Sequence, residues 1–106
     1  MTLHSEHLEE ANIELAVLKQ QVMAGCCYIN RKCSSGGDFD VKLLDDWQLP
    51  SYELAFCMAE LSAAAAFNDY AQKLTTQKFT QQLALSFCAE TLQCVLNRLV
   101  ARATDV

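Results

Sequence analysis

The chain has 106 residues, a formal net charge of −5 and 52% hydrophobic residues, with three glycines and one proline. That length suits one domain with its own core, and the hydrophobic share argues against disorder over most of the chain. The acidic balance repels a phosphate backbone, so nucleic acid is not an expected partner. Few helix breakers, few β-branched residues and many Ala, Leu, Gln and Glu predict an all-α fold.

The first residues, MTLHSEHLEEANIE, are polar and acidic where an export signal would be basic and then apolar. No uninterrupted apolar run approaches the ~18 residues of a membrane span, so a cytoplasmic protein with no membrane partner is expected. Six cysteines, Cys26, Cys27, Cys33, Cys57, Cys88 and Cys94, fall mostly inside apolar helical patterns. They read as reduced, structural side chains, because a free cysteine behaves as a small buried hydrophobe.

In chain order, a first helix is predicted over about 5–33, with Thr2 or Ser5 as its N-cap. Its apolar stripe is Leu8, Ala11, Leu15, Leu18, Val22, Gly25 and Ile29, in alternating steps of three and four. Ile13, Val17 and Met23 widen the stripe. Gly25 on the stripe either permits a close helix crossing or weakens the helix. Ser34-Ser35-Gly36-Gly37 reads as a loop. Asp38 or Asp40 then caps a short helix over 40–47, whose Trp47 seals one end of the bundle.

Pro50 or Ser51 opens the next helix, over 51–74, with the stripe Leu54, Cys57, Met58, Leu61, Ala64, Ala65, Phe67, Tyr70, Ala71 and Leu74. Thr75-Thr76 is the expected break, with Leu74 and Phe79 as a staple around Thr76. The competing reading is one continuous helix from 51 to 103, about 80 Å long. The last helix, over 77–103, carries Leu85, Cys88, Leu92, Val95 and Leu99, broadened by Leu83, Phe87, Leu96 and Val100. With hardly a charge before Arg98, it is expected to be buried on most sides, the other segments wrapping it. Arg98 and Arg102 suit its C-terminal end.

No motif for chemistry stands out. Cys26 and Cys33 are seven residues apart, too far along a helix for one metal ion, and no C-x-x-C is present. His4 and His7 read as solvated surface. Glu60 and Glu90, each in an uncharged stretch, are the candidate buried carboxylates; the plainer reading pairs them with Lys73, Lys78 or Arg98. Asp38, Asp40, Asp45 and Asp46 lack calcium-loop spacing.

Residues 58–67 (MAELSAAAAF) and 89–102 (AETLQCVLNRLVAR) resemble in part the C-terminal helical domain of acyl-CoA dehydrogenases, Glu90-Thr91 falling near that family's Glu-Gly-Thr. The motif's glycine, the glycine-rich flavin-contacting segment and the family's other two domains have no counterpart here. The resemblance therefore implies a helical shape and neither flavin nor that chemistry.

The expectation is an antiparallel up-down bundle of three long helices and one short one, a single domain over 1–106. No cofactor or metal is expected. The excess apolar surface of the last two helices points to a non-enzymatic protein acting through protein–protein interaction, as a homodimer or with a protein partner, in an adaptor, chaperone or immunity/antitoxin-like role. The contact candidates are Leu83, Phe87, Leu96 and Val100 with Ala63 and Ala66. The alternative is a bundle holding a small apolar ligand in a core cavity lined by Met58 and Phe67, with Glu60 and Glu90 as polar groups.

Overall fold

The computed structural model describes residues 3–74 and 76–101, residues 3–5 as backbone only. The elements are helix α1 (Leu3–Lys32), a hairpin of β1 (Ser34–Ser35) and β2 (Asp38–Phe39), helix α2 (Val41–Leu44) running into a 3-10 turn (Asp45–Trp47), helix α3 (Gln48–Lys73) and helix α4 (Lys78–Ala101). The protein is all-α apart from that hairpin. Its long helices form a rod of 54 × 24 × 16 Å in which each packs against the other two.

The helices alternate in direction. Asn68 near the end of α3 reaches Leu8 and Asn12 near the start of α1, and Glu53 near the start of α3 meets Arg98 near the end of α4. α1 and α3 are therefore antiparallel, as are α3 and α4.

α3 and α4 each bury a seam of alternating three- and four-residue steps, and α1 buries every seventh residue with Ala11, Leu18 and Gly25 half-buried between, the period that keeps one helical face on its neighbours. On α1 the fully buried residues are Leu8, Leu15, Val22, Ile29, and on α3 they are Leu54, Cys57, Leu61, Ala64, Asn68 and Ala71. The α4 seam is Gln81, Ala84, Cys88, Thr91 and Val95. α1 thus supplies large aliphatic side chains, each contributing about 1.5–3 kcal/mol on burial, while α4 supplies small or polar ones. Gly25 is where α1 crosses α3 closely: a Cβ there would come to 3.1 Å from a Leu54 methyl.

Two buried amides fix the alignment. Asn68 donates to the Leu8 carbonyl (2.8 Å) and to Asn12 Oδ1 (2.6 Å), which pins α3 to α1. One polar group in an otherwise apolar seam specifies register in this way. Gln81 of α4 donates to the carbonyls of Ala71 and Leu74 at 3.4 and 3.3 Å. These carbonyls lie at the end of α3, where the Ala71 carbonyl also accepts from the Leu74 amide and the Leu74 carbonyl from the Gln77 amide.

Some expectations hold and others change. α3 ends at Lys73 and α4 begins at Lys78, so the expected break forms and the single long helix does not. Phe79 is 72% exposed rather than stapled. α3 begins at Gln48, which places Pro50 in its first turn, where the missing N–H costs nothing. Ser51 lies inside the helix rather than capping it, its Oγ buried without a hydrogen-bond partner among the described residues. Asp40, not Asp38, caps α2, accepting from the Lys42 amide at 2.9 Å. The supposed loop is a hairpin: Gly36 and Gly37 take φ of 61° and 88°, and Ser34 pairs with Phe39. Two adjacent positive-φ residues give the turn whose twist matches antiparallel strands. Trp47 is half-buried and meets Tyr28 edge-on at 5.8 Å, closing that end of the core. The proposed caps and contacts of Thr2, His4, Ser5 and Arg102 lie outside the described side chains.

Candidate interaction surface

α4 is not wrapped by the rest of the chain. One face enters the core, and Phe79, Leu83, Phe87, Leu96 and Val100 are 38–72% exposed. By length and composition α4 is apolar enough to cross a membrane, with a mean hydropathy of 1.2 over its best 18 residues, 22% of them buried. Ile13, Val17 and Met23 of α1, expected to widen its stripe, are likewise outside the core.

The contact candidates divide between two faces. Leu83 and Leu96 lie about 140° apart around α4 at 3.6 residues per turn. Leu96 and Val100, with Leu99, border a groove of about 560 Å³ against Leu18, Gly25 and Tyr28 of α1. Phe87 instead faces α3, its ring 5.9 Å from Phe67. Leu83 lies one turn from Phe87 on that side. Ala63 and Ala66 are exposed on α3.

α3 carries a second seam that the sequence reading did not separate from the first. Tyr52, Phe56, Ala59, Ala63, Ala66 and Tyr70 follow alternating steps of four and three, and all are exposed. Tyr52 is 62% exposed, Phe56 40% and Tyr70 59%. The same period that buries Leu54 to Ala71 inside thus repeats on the outside of the helix. The signal was present in the sequence, but a stripe drawn through every apolar residue merges the two seams.

Phe56 is held on both sides, with Tyr52 at 4.8 Å and the Arg98 guanidinium 5.1 Å over its ring. Arg98 also binds Glu53 at 3.0 Å and Glu60 at 3.3 Å. Glu60 therefore has Arg98 as its partner, and these half-exposed pairs each contribute at most ~1 kcal/mol. Arg98 offsets one of the two carboxylate charges beside the outer seam and orients Phe56.

The cavity candidates do not converge. Met58 packs on the cluster around Leu54 and Leu61, whereas Phe67 packs on Leu8, Ala71 and Ala84. Glu60 and Glu90 share a groove of about 250 Å³ with Phe87, Thr91 and Cys94, open at the surface between α3 and α4. Glu90 itself is exposed.

Cys33, Cys57 and Cys88 are buried and free, while Cys26, Cys27 and Cys94 are exposed. Burial pushes the thiols of Cys57 and Cys88 up, opposed at Cys57 by Arg98. Burial also raises Cys26, with Cys27 beside it adding to the effect. These groups stay protonated at neutral pH and are poor nucleophiles there. Among the described residues no three His, Cys, Asp or Glu side chains gather as a metal site, and His7 is exposed. Comparison with models of known protein families, with curated proteins and with solved structures finds no match to this chain.

Proposed function

We propose that this protein is a non-enzymatic interaction module that docks another protein on the outer face of α3 and the adjoining side of α4. The observation that carries the reading is the exposed seam of Tyr52, Phe56, Ala59, Ala63, Ala66 and Tyr70. Aromatic residues dominate binding energy at protein interfaces because they bury large, stiff surfaces. Small residues between them let a helix approach closely. The period of the seam matches a helical partner, which would complete a fourth edge of the bundle. An adaptor, chaperone or immunity/antitoxin-like role would use such a face. Free cysteines suit a reducing compartment, so the reading includes a cytoplasmic location.

The test is site-specific photocrosslinking in living cells. A benzoylphenylalanine replacing Tyr70 keeps an aromatic ring on the seam, at a site exposed enough (59%) to hold the larger side chain. The same group replacing Gln20, exposed on α1, is the control. Covalent protein adducts from position 70 and none from position 20 are expected. Absence of any adduct from position 70 would sink the reading.

A further inference from the structure

We infer that the outer seam of α3 pairs with the same seam of a second copy of this chain, the two helices running antiparallel about a two-fold axis beside Leu61. This rests on the interaction reading above and names its partner. The argument begins from the order of side chains. Tyr52 and Tyr70 lie nine residues either side of Leu61, Phe56 and Ala66 five, and Ala59 and Ala63 two. In an antiparallel pair, residues equidistant from the axis face one another. Tyrosine then meets tyrosine at each end, phenylalanine meets alanine, and alanine meets alanine at the centre.

A two-fold interface needs a surface complementary to itself, and this seam has that property in one register. Phe56 of each copy fills the space left by Ala66 of the other, so bulk meets gap. Ala59 and Ala63 let the axes come closest at the two-fold. A parallel pairing would set Phe56 against Phe56 and leave three successive alanine layers unfilled.

Charge and area agree. Residues 1–47 hold eight acidic and four basic side chains, whereas residues 48–101 hold four and three. The repulsion carried by the acidic chain is therefore concentrated away from the α3–α4 face. The seam is about 27 Å long at 1.5 Å per residue. With Phe67, Leu83 and Phe87 alongside, a width of about 20 Å gives roughly 1,100 Å² buried over both copies, just above the ~1,000 Å² that a specific interface needs. Such a dimer is expected to dissociate on dilution. One like-charge contact remains: Glu60 lies one residue from Leu61 on the α4 flank of the seam, so the two copies of Glu60 approach each other beside the axis, each already bound to its own Arg98.

The experiment is sedimentation equilibrium of the full chain from low micromolar to submillimolar concentration. A monomer–dimer equilibrium is expected. Ala63→Glu places a charge at the axis and should weaken the dimer by about a hundredfold or more. Ala59→Leu, which keeps helix propensity, should weaken it as well. Val100→Glu, on the α1 side of α4, should change nothing.

A wild-type monomer throughout, or a dimer indifferent to Ala63→Glu and Ala59→Leu, would overturn the pairing. Far-UV circular dichroism shows whether each variant is folded. The two readings separate in the crosslinking. Adducts of twice the chain mass from position 70 support the second copy. Adducts of another mass, with a monomeric purified chain, overturn it and leave the interaction reading standing.

Discussion

α1 and α4 carry comparable shares of apolar residues but use them differently. α1 sends Leu8, Leu15, Val22 and Ile29 into the core. α4 sends Gln81, Ala84, Cys88, Thr91 and Val95 inward and leaves Phe79, Leu83, Leu96 and Val100 facing out. Burial thus follows position on the helix rather than the hydrophobicity of the residue that occupies it. A helix whose large side chains face away from its own core has surface to offer elsewhere, and the outer seam of α3 lies beside it.

The contrast can be broken by substitution. Leu15→Ala, in the α1 seam at 3% exposure, is expected to lower unfolding free energy by about 2–5 kcal/mol, through lost transfer energy and the cavity left behind. Chemical denaturation measures it; a loss below 1 kcal/mol would mean that α1 does not carry the core.

Gln81→Ala comes next. It removes the side-chain donor to the Ala71 and Leu74 carbonyls, which keep the Leu74 and Gln77 amides, and should cost about 0.5–1.5 kcal/mol. Amide hydrogen exchange should quicken first at the end of α3. Equal exchange throughout that helix would show that its carbonyls do not depend on α4.

A smaller effect is expected with pH. The thiols of Cys57 and Cys88 ionise less readily folded than unfolded, because burial raises them. Stability from this source is whole below the ordinary thiol range near ~8.5 and declines as pH rises through and beyond it. Thermal melts between neutral and alkaline pH should fall less steeply for Cys57→Ala with Cys88→Ala than for the wild type; parallel slopes would remove the claim.

The smallest effect belongs to the outer side of α4. Val100→Ser, at a site 68% exposed, should change monomer stability by no more than about 0.5 kcal/mol. A loss several times larger in dilute solution would place that side chain in a packed contact.

The α1 seam was readable from the sequence residue by residue, because its large apolar side chains and its buried face coincide. The α3 seam was readable as far as Ala64. Beyond it Asn68 takes the inward position that apolarity alone would give to Phe67 or Tyr70, since its amide finds partners on α1. On α4 the expected Cys88 and Val95 are buried while Leu85, Leu92 and Leu99 are only half-buried, and the helix is turned so that Gln81, Ala84 and Thr91 point inward.

What the sequence by itself determined is the helical class, the separation into three long helices and one short one, and the α1 face that enters the core. These depend on propensity, breakers and period, all local along the chain. Tertiary structure decided how α4 is rotated, which polar groups are buried, and that α3 has an inner and an outer seam. Those outcomes depend on which neighbour can accept a hydrogen bond from Asn68 or donate one to the end of α3. They also depend on how closely Gly25 lets α1 cross Leu54. Such conditions exist only once the three helices stand side by side.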